Sequence, residues 1–557
     1  MAETSSSESE DIRKDSVIPI EAEDQIIKAI GDIGTWQLKW FSFLCLITLP
    51  TAFPSLSITF LSASTDFWCS QPDSFPGSTE EWRNISSPVI FEGGIYVYDQ
   101  CNTKNATEEF LFAEDNVTVA CEAWDFDRST YSNTIIQHFG LVCDRSSYKN
   151  LAQSVYFFGL VIGVFGTGYA ADIVGRRMTL IPIVFGMAFF GCLSAVMPTI
   201  EAFIAVRFFH GMCTIGVFAV TFVWVMEVVG GKWQTILGIG FEGPWVVGWF
   251  LLALIAYLTP DWKHIQFITS FPAFITVVLC WFLPESPKWL LSSGKVVEAE
   301  KIVREAVELN GRVLPADWKL QAIPSQTTKD LSPFMSFFQL FTHKHLCIKT
   351  LILYFNWFAN SFVYYGLTLN SENLGGTIMV NFLLNGAMEI PAYLFSLYIL
   401  LKKGRKRPYV IMIITGGIAL FCTIAIPRDV FAYNWPLVVL ALIGKLMITG
   451  TFAIAYVYSA EIYPTVVRST GVGSSSLFAR VGGALAPYVG SLDKVFNPSI
   501  PIVIFGATAI LAGILALFLP ETKGRKLPDS FEEGEAVKVN FRDGLFKSSK
   551  LSPVPTT

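Results

Sequence analysis

Long apolar runs alternate with short polar segments along almost the whole chain. About twelve of these runs have the length that a helix needs to cross the hydrocarbon core of a membrane, about 20 residues. A helix of a soluble protein rarely stays apolar over this length, so the pattern predicts an all-α membrane protein with twelve transmembrane helices. The runs cover residues 36–61, 151–172, 178–198, 202–229, 234–258, 264–283, 347–369, 376–401, 409–427, 435–460, 469–490 and 500–519.

The composition agrees with this pattern. Of 557 residues, 52% are hydrophobic and 15% are charged, whereas a soluble protein carries roughly 25% charged residues. The formal net charge of −6 provides no basic surface for DNA or RNA. These values argue against a soluble enzyme, a disordered chain and a nucleic-acid-binding protein. The sequence also contains no phosphate-loop motif and no zinc-spaced set of Cys or His, so we expect no ATP-driven transport, no cofactor and no metal site.

Basic residues are concentrated after the even-numbered runs. Because cytoplasmic loops are enriched in Lys and Arg, these ends are predicted to face the cytoplasm, as are both chain termini. The first 35 residues are polar and acidic and contain no cleaved signal peptide, so the first run is predicted to act as its own insertion signal. The basic residues are Arg176, Arg177, Lys288, Lys295, Lys301, Arg304, Lys402, Lys403, Arg405, Lys406, Arg407, Lys523, Arg525 and Lys526.

The segment between the first two runs, residues 62–150, is predicted to face the extracellular side. It contains the three N-x-Ser/Thr sequons of the chain, at Asn84, Asn105 and Asn116. It also contains four of the ten cysteines, which can pair in three ways that the sequence does not distinguish. Glycosylation and disulfide formation both require a lumenal or extracellular compartment. The four cysteines are Cys69, Cys101, Cys121 and Cys143.

The two halves of the chain repeat short motifs at nearly constant offsets. Parallel six-helix repeats occur in a large class of secondary transporters, in which substrate binds near the membrane midplane between the halves. The repeated motifs are Phe282–Ser286 and Phe518–Thr522, Glu227 and Glu461, and Gly175–Arg177 and Gly404–Lys406. The predicted units are a cytoplasmic N-terminal segment (1–35), a six-helix bundle (36–283), a cytoplasmic loop with short helices (284–346), a second six-helix bundle (347–519) and a cytoplasmic tail (520–557).

The segment Gly168–Arg177 resembles the loop 2–3 signature of the major facilitator superfamily, with Asp172 and the Gly-Arg-Arg sequence intact. The resemblance implies the major facilitator fold, with charged residues at helix ends that latch the two halves together on the cytoplasmic side. The second copy departs from the signature, because Leu401 lies where the acid would be. The residues to which the resemblance assigns a gating role are Asp172, Gly175, Arg176, Arg177, Glu227, Glu285, Arg405, Glu461 and Arg468.

Further motifs narrow the resemblance, over nearly the whole chain, to the organic cation/anion/zwitterion transporter family (solute carrier family 22). Within it the chain is most similar to invertebrate members called organic cation transporters, at Asn373–Gly376 and Ala479–Gly483. Glu389–Tyr393 also resembles the carnitine branch. The other motifs that carry the resemblance are Trp124–Asp127, Leu141–Cys143, Pro284–Leu290, Tyr364–Leu367 and Glu461–Thr465.

Ionisable residues inside the apolar runs are costly unless they are paired or hydrated, by roughly 2.5–3.5 kcal/mol or more. Arg207 and Glu227 lie near the ends of the fourth run, and we interpret them as structural or gating residues. Glu389 lies in the middle of the eighth run, and the resemblance implies that it attracts a substrate cation. Lys445 is interpreted either as the partner of Glu389 or as a contact for anionic groups.

Arg480 leaves the sign of the substrate charge open. A guanidinium in the cavity would repel a cation unless it is neutralised, and it can bind a carboxylate through two hydrogen bonds. The resemblance implies Asp at this position in many vertebrate cation carriers and Arg in anion and zwitterion carriers, whereas invertebrate cation transporters also carry Arg. Glu242, in the fifth run, is interpreted either as compensating Arg480 or as facing a water-filled crevice.

Aromatic residues make up 14% of the chain. An aromatic face attracts an ammonium group by about 0.5–2 kcal/mol and accommodates ligands of varied shape. With Glu389 and Arg480, five aromatic residues form the predicted substrate-binding set. By register with the family motifs, the resemblance implies cavity positions for Phe218, Phe222, Trp357, Tyr364 and Phe452.

These features together predict an alternating-access carrier of the plasma membrane for small organic ions, with polyspecific uptake of organic cations as the first interpretation. A carnitine-like zwitterion or an organic anion is the alternative substrate for the same fold. A non-transporting membrane receptor or structural protein is the alternative from another class. The expected partners are the lipid bilayer and a small organic ion, without nucleic acid, and coupling to sodium or to protons stays open.

Overall fold

The computed structural model describes residues 22–72, 75–92, 95–104, 118–315, 318–321, 337–369, 377–427, 430–431, 434–495, 499–524, 528 and 531–536. Several predicted features lie outside these residues. They are the sequons at Asn105 and Asn116, the motif Asn373–Gly376, and the basic residues Arg525 and Lys526.

In the part of the chain that the structure describes, twelve long helices, α1–α12, account for the twelve apolar runs. Ten of them are long and apolar enough to cross a membrane. The other two helices do not meet both criteria. Helix α11 is less apolar because it is rich in Gly and Ser, and α12 has only 17 residues. The predicted class, an all-α membrane protein, is confirmed. The helices are α1 (Thr35–Leu61), α2 (Ser147–Val174), α3 (Arg176–Ser194), α4 (Ile200–Val228), α5 (Gly231–Leu258), α6 (Trp262–Cys280), α7 (Lys344–Leu369), α8 (Ile378–Lys402), α9 (Lys406–Cys422), α10 (Trp435–Ile462), α11 (Arg468–Gly490) and α12 (Ile500–Ala516).

Three of the helices in the first half are interrupted. Helix α1 tightens into a 3-10 turn at Leu49–Thr51, and α6 is interrupted between Ser270 and Ala273. A proline lies at each of these points, where it removes a backbone donor. Helix α5 consists of Gly231–Gly240 and Gly243–Leu258, so that Phe241 and Glu242 form the junction. Interrupted helices expose backbone and side chains at membrane depth, where transporters bind substrate.

The two halves pack in the same way. In the first half α4 packs against α2 and α3, and α3 packs against α6. In the second half α10 packs against α8 and α9, and α9 packs against α12. Glycines permit the close approach: a Cβ atom on Gly159 or Gly163 of α2 would collide with backbone carbonyls of α4. The halves meet chiefly through α2 against α11 and α5 against α8.

The loop between α1 and α2 contains short strands that the sequence analysis did not predict. They form three antiparallel pairs: β1 (Phe67–Cys69) with β6 (Trp124–Phe126), β2 (Val89–Glu92) with β3 (Ile95–Tyr98), and β4 (Asn102–Lys104) with β5 (Thr118–Ala120). The loop also contains the helices Thr79–Ser86 and Ile135–Phe139.

The four loop cysteines form two disulfides. Cys69 pairs with Cys121, and Cys101 pairs with Cys143. The structure thus selects one of the three pairings that the sequence left open. Asn84 is exposed on the helix Thr79–Ser86, where its amide oxygen accepts a hydrogen bond from the Tyr98 hydroxyl at 3.2 Å. Its glycosylation stays a prediction.

Short helices lie at the end of the molecule opposite this loop. Ala22–Ile30 packs against Pro287–Ser292 and Val296–Leu309. Asn310 joins this group to the start of α1, because its side chain accepts from the Trp36 amide at 2.9 Å and donates to the Ile30 carbonyl at 3.0 Å. A further helix, Phe531–Ala536, lies at the start of α7, where Glu535 accepts from two backbone amides.

Candidate functional site

A cavity of about 840 Å³, including its solvent-open part, lies between the two halves. Four helices of each half contribute to its wall, and most of the contributed side chains are aromatic or small and polar. The wall comprises Thr51 and Ser55 of α1, Phe157 and Leu160 of α2, Thr214, Ile215 and Phe218 of α4, Glu242 and Trp245 of α5, Ser361, Tyr364 and Tyr365 of α7, Tyr393 of α8, Thr449, Phe452, Ala453 and Tyr456 of α10, and Arg480 of α11.

Four of the seven predicted substrate-binding residues lie in this wall: Phe218, Tyr364, Phe452 and Arg480. The other three lie behind it. Phe222 stacks on Phe218 with ring centres 6.4 Å apart. Trp357 is fully buried, and its indole nitrogen donates to the Ser459 hydroxyl at 2.8 Å. Glu389 is also fully buried.

Five aromatic residues of the wall were not predicted from the sequence: Phe157, Trp245, Tyr365, Tyr393 and Tyr456. Tyr393 lies one helical turn after Glu389, and Trp245 lies three residues after Glu242, so proximity to an intramembrane charge was a usable indication of each. Phe157, Tyr365 and Tyr456 lack such a neighbour in sequence. The Trp245 indole nitrogen donates to the Tyr364 hydroxyl at 3.1 Å, which joins α5 to α7 across the cavity.

Glu389 and Lys445 form an ion pair inside the second half. The Lys445 ammonium lies 3.0 Å from a Glu389 carboxylate oxygen, and both side chains are 0% exposed. The ammonium also donates to the Thr368 hydroxyl at 2.8 Å and lies 3.1 Å from the centre of the Tyr364 ring. Thr449 donates to the same Glu389 oxygen at 3.3 Å. Of the two interpretations of Lys445, the structure therefore supports the partner of Glu389.

Glu242 and Arg480 differ from this pair because they face the cavity. Glu242 is partly exposed at the junction of the two α5 segments. Arg480 is partly exposed on α11, and its guanidinium donates to the Ser476 carbonyl of its own helix at 3.2 Å. Among the described residues, no hydrogen bond or ion pair joins Glu242 to Arg480. Of the two interpretations of Glu242, the structure therefore supports the one in which it faces a crevice and not the one in which it compensates Arg480.

Arg207 lies away from the cavity, in the core of the first half. It is fully buried, and its guanidinium donates to the Gln153 side chain at 2.9 Å and to the Pro54 carbonyl at 3.2 Å. The guanidinium also lies 4.8 Å from the centre of the Tyr156 ring. These contacts join α1, α2 and α4 and are consistent with the structural interpretation of Arg207.

The predicted gating residues of the first half form one cluster at the end opposite the disulfide loop. Arg176 binds Glu227 at 2.7 Å and Asp172 at 3.1 Å. Glu285 accepts from the backbone amides of Arg176 and Arg177. The cluster begins at Gly175, whose φ of 108° is accessible to glycine and strained for other residues.

The second half repeats this cluster. Arg405 binds Glu461 at 2.7 Å, and its backbone amide donates to Glu521 at 3.0 Å. Glu521 is thus the counterpart of Glu285, in agreement with the repeated motifs Phe282–Ser286 and Phe518–Thr522, although no gating role was predicted for Glu521. Gly404 has a φ of 111°, and Arg468 donates to the Tyr463 carbonyl at 3.4 Å.

Both clusters join helices of the same half in this structure. Several contacts between the halves lie on the side of the disulfide loop. Asn150 donates to Ser491 at 3.1 Å, and the Trp249 indole donates to the Phe382 carbonyl at 2.8 Å. The Phe60 and Phe382 rings also meet, with centres 4.7 Å apart. These contacts close the cavity toward the disulfide loop, and a latch between the halves at the opposite end stays a prediction.

Comparison with known proteins gives the same fold and a family. A solved structure of the xylose transporter XylE from E. coli, in a partially occluded inward-open conformation, aligns with a TM-score of 0.58 over 88% of this chain and 100% of its own, at 16% identity. The family model described as sugar (and other) transporter matches residues 88–532.

Two curated relatives cover almost the whole chain. An organic cation transporter protein of Drosophila melanogaster is 35% identical over 92% of this chain and 94% of its own length. Solute carrier family 22 member 1 of Bos taurus is 32% identical over 92% of both chains. Family members of this kind are multi-pass membrane transporters and not enzymes. The chain therefore belongs to the sugar (and other) transporter family of the major facilitator superfamily and, within it, to solute carrier family 22.

Proposed function

We propose that the protein is an alternating-access carrier that moves small organic cations across the plasma membrane. The central observation is the aromatic cavity enclosed between the two repeated halves. Aromatic rings attract organic cations without demanding one shape, which suits a polyspecific carrier. The names of the relatives, organic cation transporters in Drosophila melanogaster and in Caenorhabditis elegans, support the same substrate class.

The proposed orientation places both termini in the cytoplasm and the disulfide loop outside. Disulfides form in the oxidising extracellular compartment, and the basic residues at the opposite end suit the cytoplasm. Because the halves are joined on the side of the loop, this structure then has its extracellular side closed. Substrate entry would require these contacts to break while the opposite ends of the halves approach each other.

Transport also requires a driving force. An inside-negative membrane potential favours the entry of a monovalent cation by about 2.3 kcal/mol per 100 mV. A cation carrier thus needs no second ion, although sodium or proton coupling would add to this force. An uptake experiment should therefore vary the membrane potential as well as the charge of the substrate.

An uptake panel in cells that express the chain tests the proposed function. The tracers are a small tetraalkylammonium ion, carnitine and an aryl carboxylate, each with and without external sodium and at two external pH values. We expect saturable uptake of the tetraalkylammonium ion, reduced by unrelated organic cations and by depolarisation. Replacing external sodium and changing the external pH distinguish uptake that is coupled to sodium or protons from uptake that the membrane potential alone drives. Tracer entry no greater than in untransfected cells, with the protein present at the surface, would exclude the carrier function.

A further inference from the structure

We propose that Glu242 is a proton-coupling site, at which a proton and a cationic substrate exclude each other, so that protons leaving the cell can drive the entry of the cation. This inference rests on the proposed carrier function and adds a coupling ion to it. It depends on one carboxylate that faces the cavity and that no cation of the described residues neutralises.

Glu242 lies in the cavity wall at the junction of the two α5 segments. Its side chain is partly exposed, and it does not cap the following segment Gly243–Leu258 with a hydrogen bond. Among the described residues, no cation forms an ion pair with its carboxylate. Ionisable groups at membrane depth are costly unless they are paired or hydrated, and in transporters they often carry protons. The carboxylate is thus available to a proton or to a cation that enters the cavity.

A second carboxylate adds to the negative charge around Glu242. Glu389 of α8 interacts electrostatically with Glu242, and the two like charges repel each other. Tyr393 of α8 interacts with both carboxylates, so the two acids lie on the same side of the cavity. Lys445 lies 3.0 Å from Glu389 and is fully buried. One ammonium thus serves two carboxylates, which leaves one negative charge to be neutralised from the cavity.

The helices packed against α5 on its own half supply no counter-charge. These helices are α1, α4 and α6, and no ionisable residue of theirs belongs to the described wall. On α4, Arg207 and Glu227 are held by other partners. On α6, Lys263 and His264 lie at its start, next to the end of α5 at Leu258.

The other ionisable groups of the cavity belong to the second half. Helices α7 and α10 contribute the neutral phenols Tyr364, Tyr365 and Tyr456 to the wall. Arg480 of α11 interacts electrostatically with Tyr365 and with Tyr156 of α2. Among the described residues, no hydrogen bond or ion pair joins Arg480 to Glu242. The excess negative charge therefore stays at Glu242.

Mutual exclusion at one carboxylate couples the two ions. A proton on a Glu242 oxygen removes the charge that attracts a cation, and a bound cation disfavours the proton by the same amount. After the cation has left toward the cytoplasm, the carboxylate takes a proton from cytoplasmic water and releases it to external water once the halves have rocked. Each cycle then moves one cation inward and one proton outward. A cycle that returns without the proton still moves the cation, driven by the membrane potential.

Flux into sodium-free proteoliposomes that contain the full-length chain tests this inference. The tracer is a tetraalkylammonium ion, because its charge does not change with pH. Equal potassium concentrations with valinomycin hold the membrane potential at zero, and the lumen is about two pH units more acidic than the outside. We expect transient accumulation of at least about fivefold, against a limit of about 100-fold for one-to-one exchange. A pH-sensitive dye in the lumen should report that adding the tracer outside makes the lumen less acidic.

Three variants connect this response to Glu242. Glu242→Gln should abolish the response to the proton gradient and keep uptake that an inside-negative potential drives. Glu242→Asp keeps a titratable carboxyl group and should keep the response. Glu201→Gln removes an exposed acid at the start of α4 and should change neither form of uptake.

The possible results separate this inference from the carrier function. Uptake of the tracer under a potential, without accumulation or proton release under the pH gradient, would overturn the inference and leave the carrier function intact. An unchanged response in Glu242→Gln would do the same. If Glu242→Gln loses all flux, the pH profile of Glu242→Asp decides, and a profile equal to that of the unmodified chain would overturn the inference. Absence of all flux from the folded, unmodified chain would overturn the carrier function together with the inference.

Discussion

Replacing Arg176 with alanine is expected to destabilise the protein by about 3–5 kcal/mol, because it leaves the Glu227 carboxylate buried without its partner. Both side chains are 10% exposed, and two guanidinium nitrogens bind the same carboxylate. The same guanidinium donates to the Ala171 carbonyl at 2.8 Å, so the end of α2 would also lose a contact. The contact with Asp172 adds little, because that side chain is 73% exposed.

The second half supplies a matched comparison. Arg405 and Glu461 repeat the geometry of Arg176 and Glu227, but their side chains are 18% and 19% exposed. Arg405→Ala should therefore destabilise the protein less than Arg176→Ala. The measurement is the thermal unfolding midpoint of the purified variants in detergent. The surface abundance of each variant in cells is measured in parallel. Equal midpoints for Arg176→Ala and the unmodified chain would show that the cluster does not stabilise this conformation.

Replacing Lys445 with methionine is expected to have a comparable effect, since it leaves Glu389 charged in a site with no exposure to solvent. Removing one partner of a buried pair costs about 3–5 kcal/mol, whereas replacing both by neutral groups is often close to neutral. The double variant Glu389→Gln with Lys445→Met should thus recover most of the stability that Lys445→Met loses.

A double-mutant cycle on this pair separates its structural role from its role in transport. If the pair only maintains the fold, the double variant regains both the unfolding midpoint and cation uptake. If the paired charges also attract the substrate, the double variant regains the midpoint and still transports poorly. Additive losses in the two single variants and the double variant would contradict the ion pair itself.

The fold was predictable because its determinants are local in sequence. Membrane thickness fixes the length of an apolar run, so each helix could be counted without knowledge of its neighbours. The repeated motifs at Gly175 and Gly404 likewise predicted the two copies of the ion-pair cluster. The disulfide pairing depended instead on the path of a loop of about ninety residues, which no local pattern encodes.

The candidate site was less predictable, because a transmembrane helix is apolar on all sides and its sequence pattern does not show which side faces the cavity. The sequence placed Trp357 and Glu389 at suitable depths, but their rotation about the helix axis puts them behind the wall. Glu242 reaches the wall because α5 is interrupted at this residue. The sequence Gly240-Phe241-Glu242-Gly243-Pro244 is compatible with such an interruption, and it was the available indication that Glu242 is exposed.

Flux into proteoliposomes that contain the purified chain tests the carrier function most directly. The tracer is a tetraalkylammonium ion, and a potassium diffusion gradient sets an inside-negative potential. We expect saturable accumulation that follows the imposed potential and is reduced by competing organic ions. Accumulation no greater than in protein-free liposomes, from protein that remains folded and monodisperse, would contradict it.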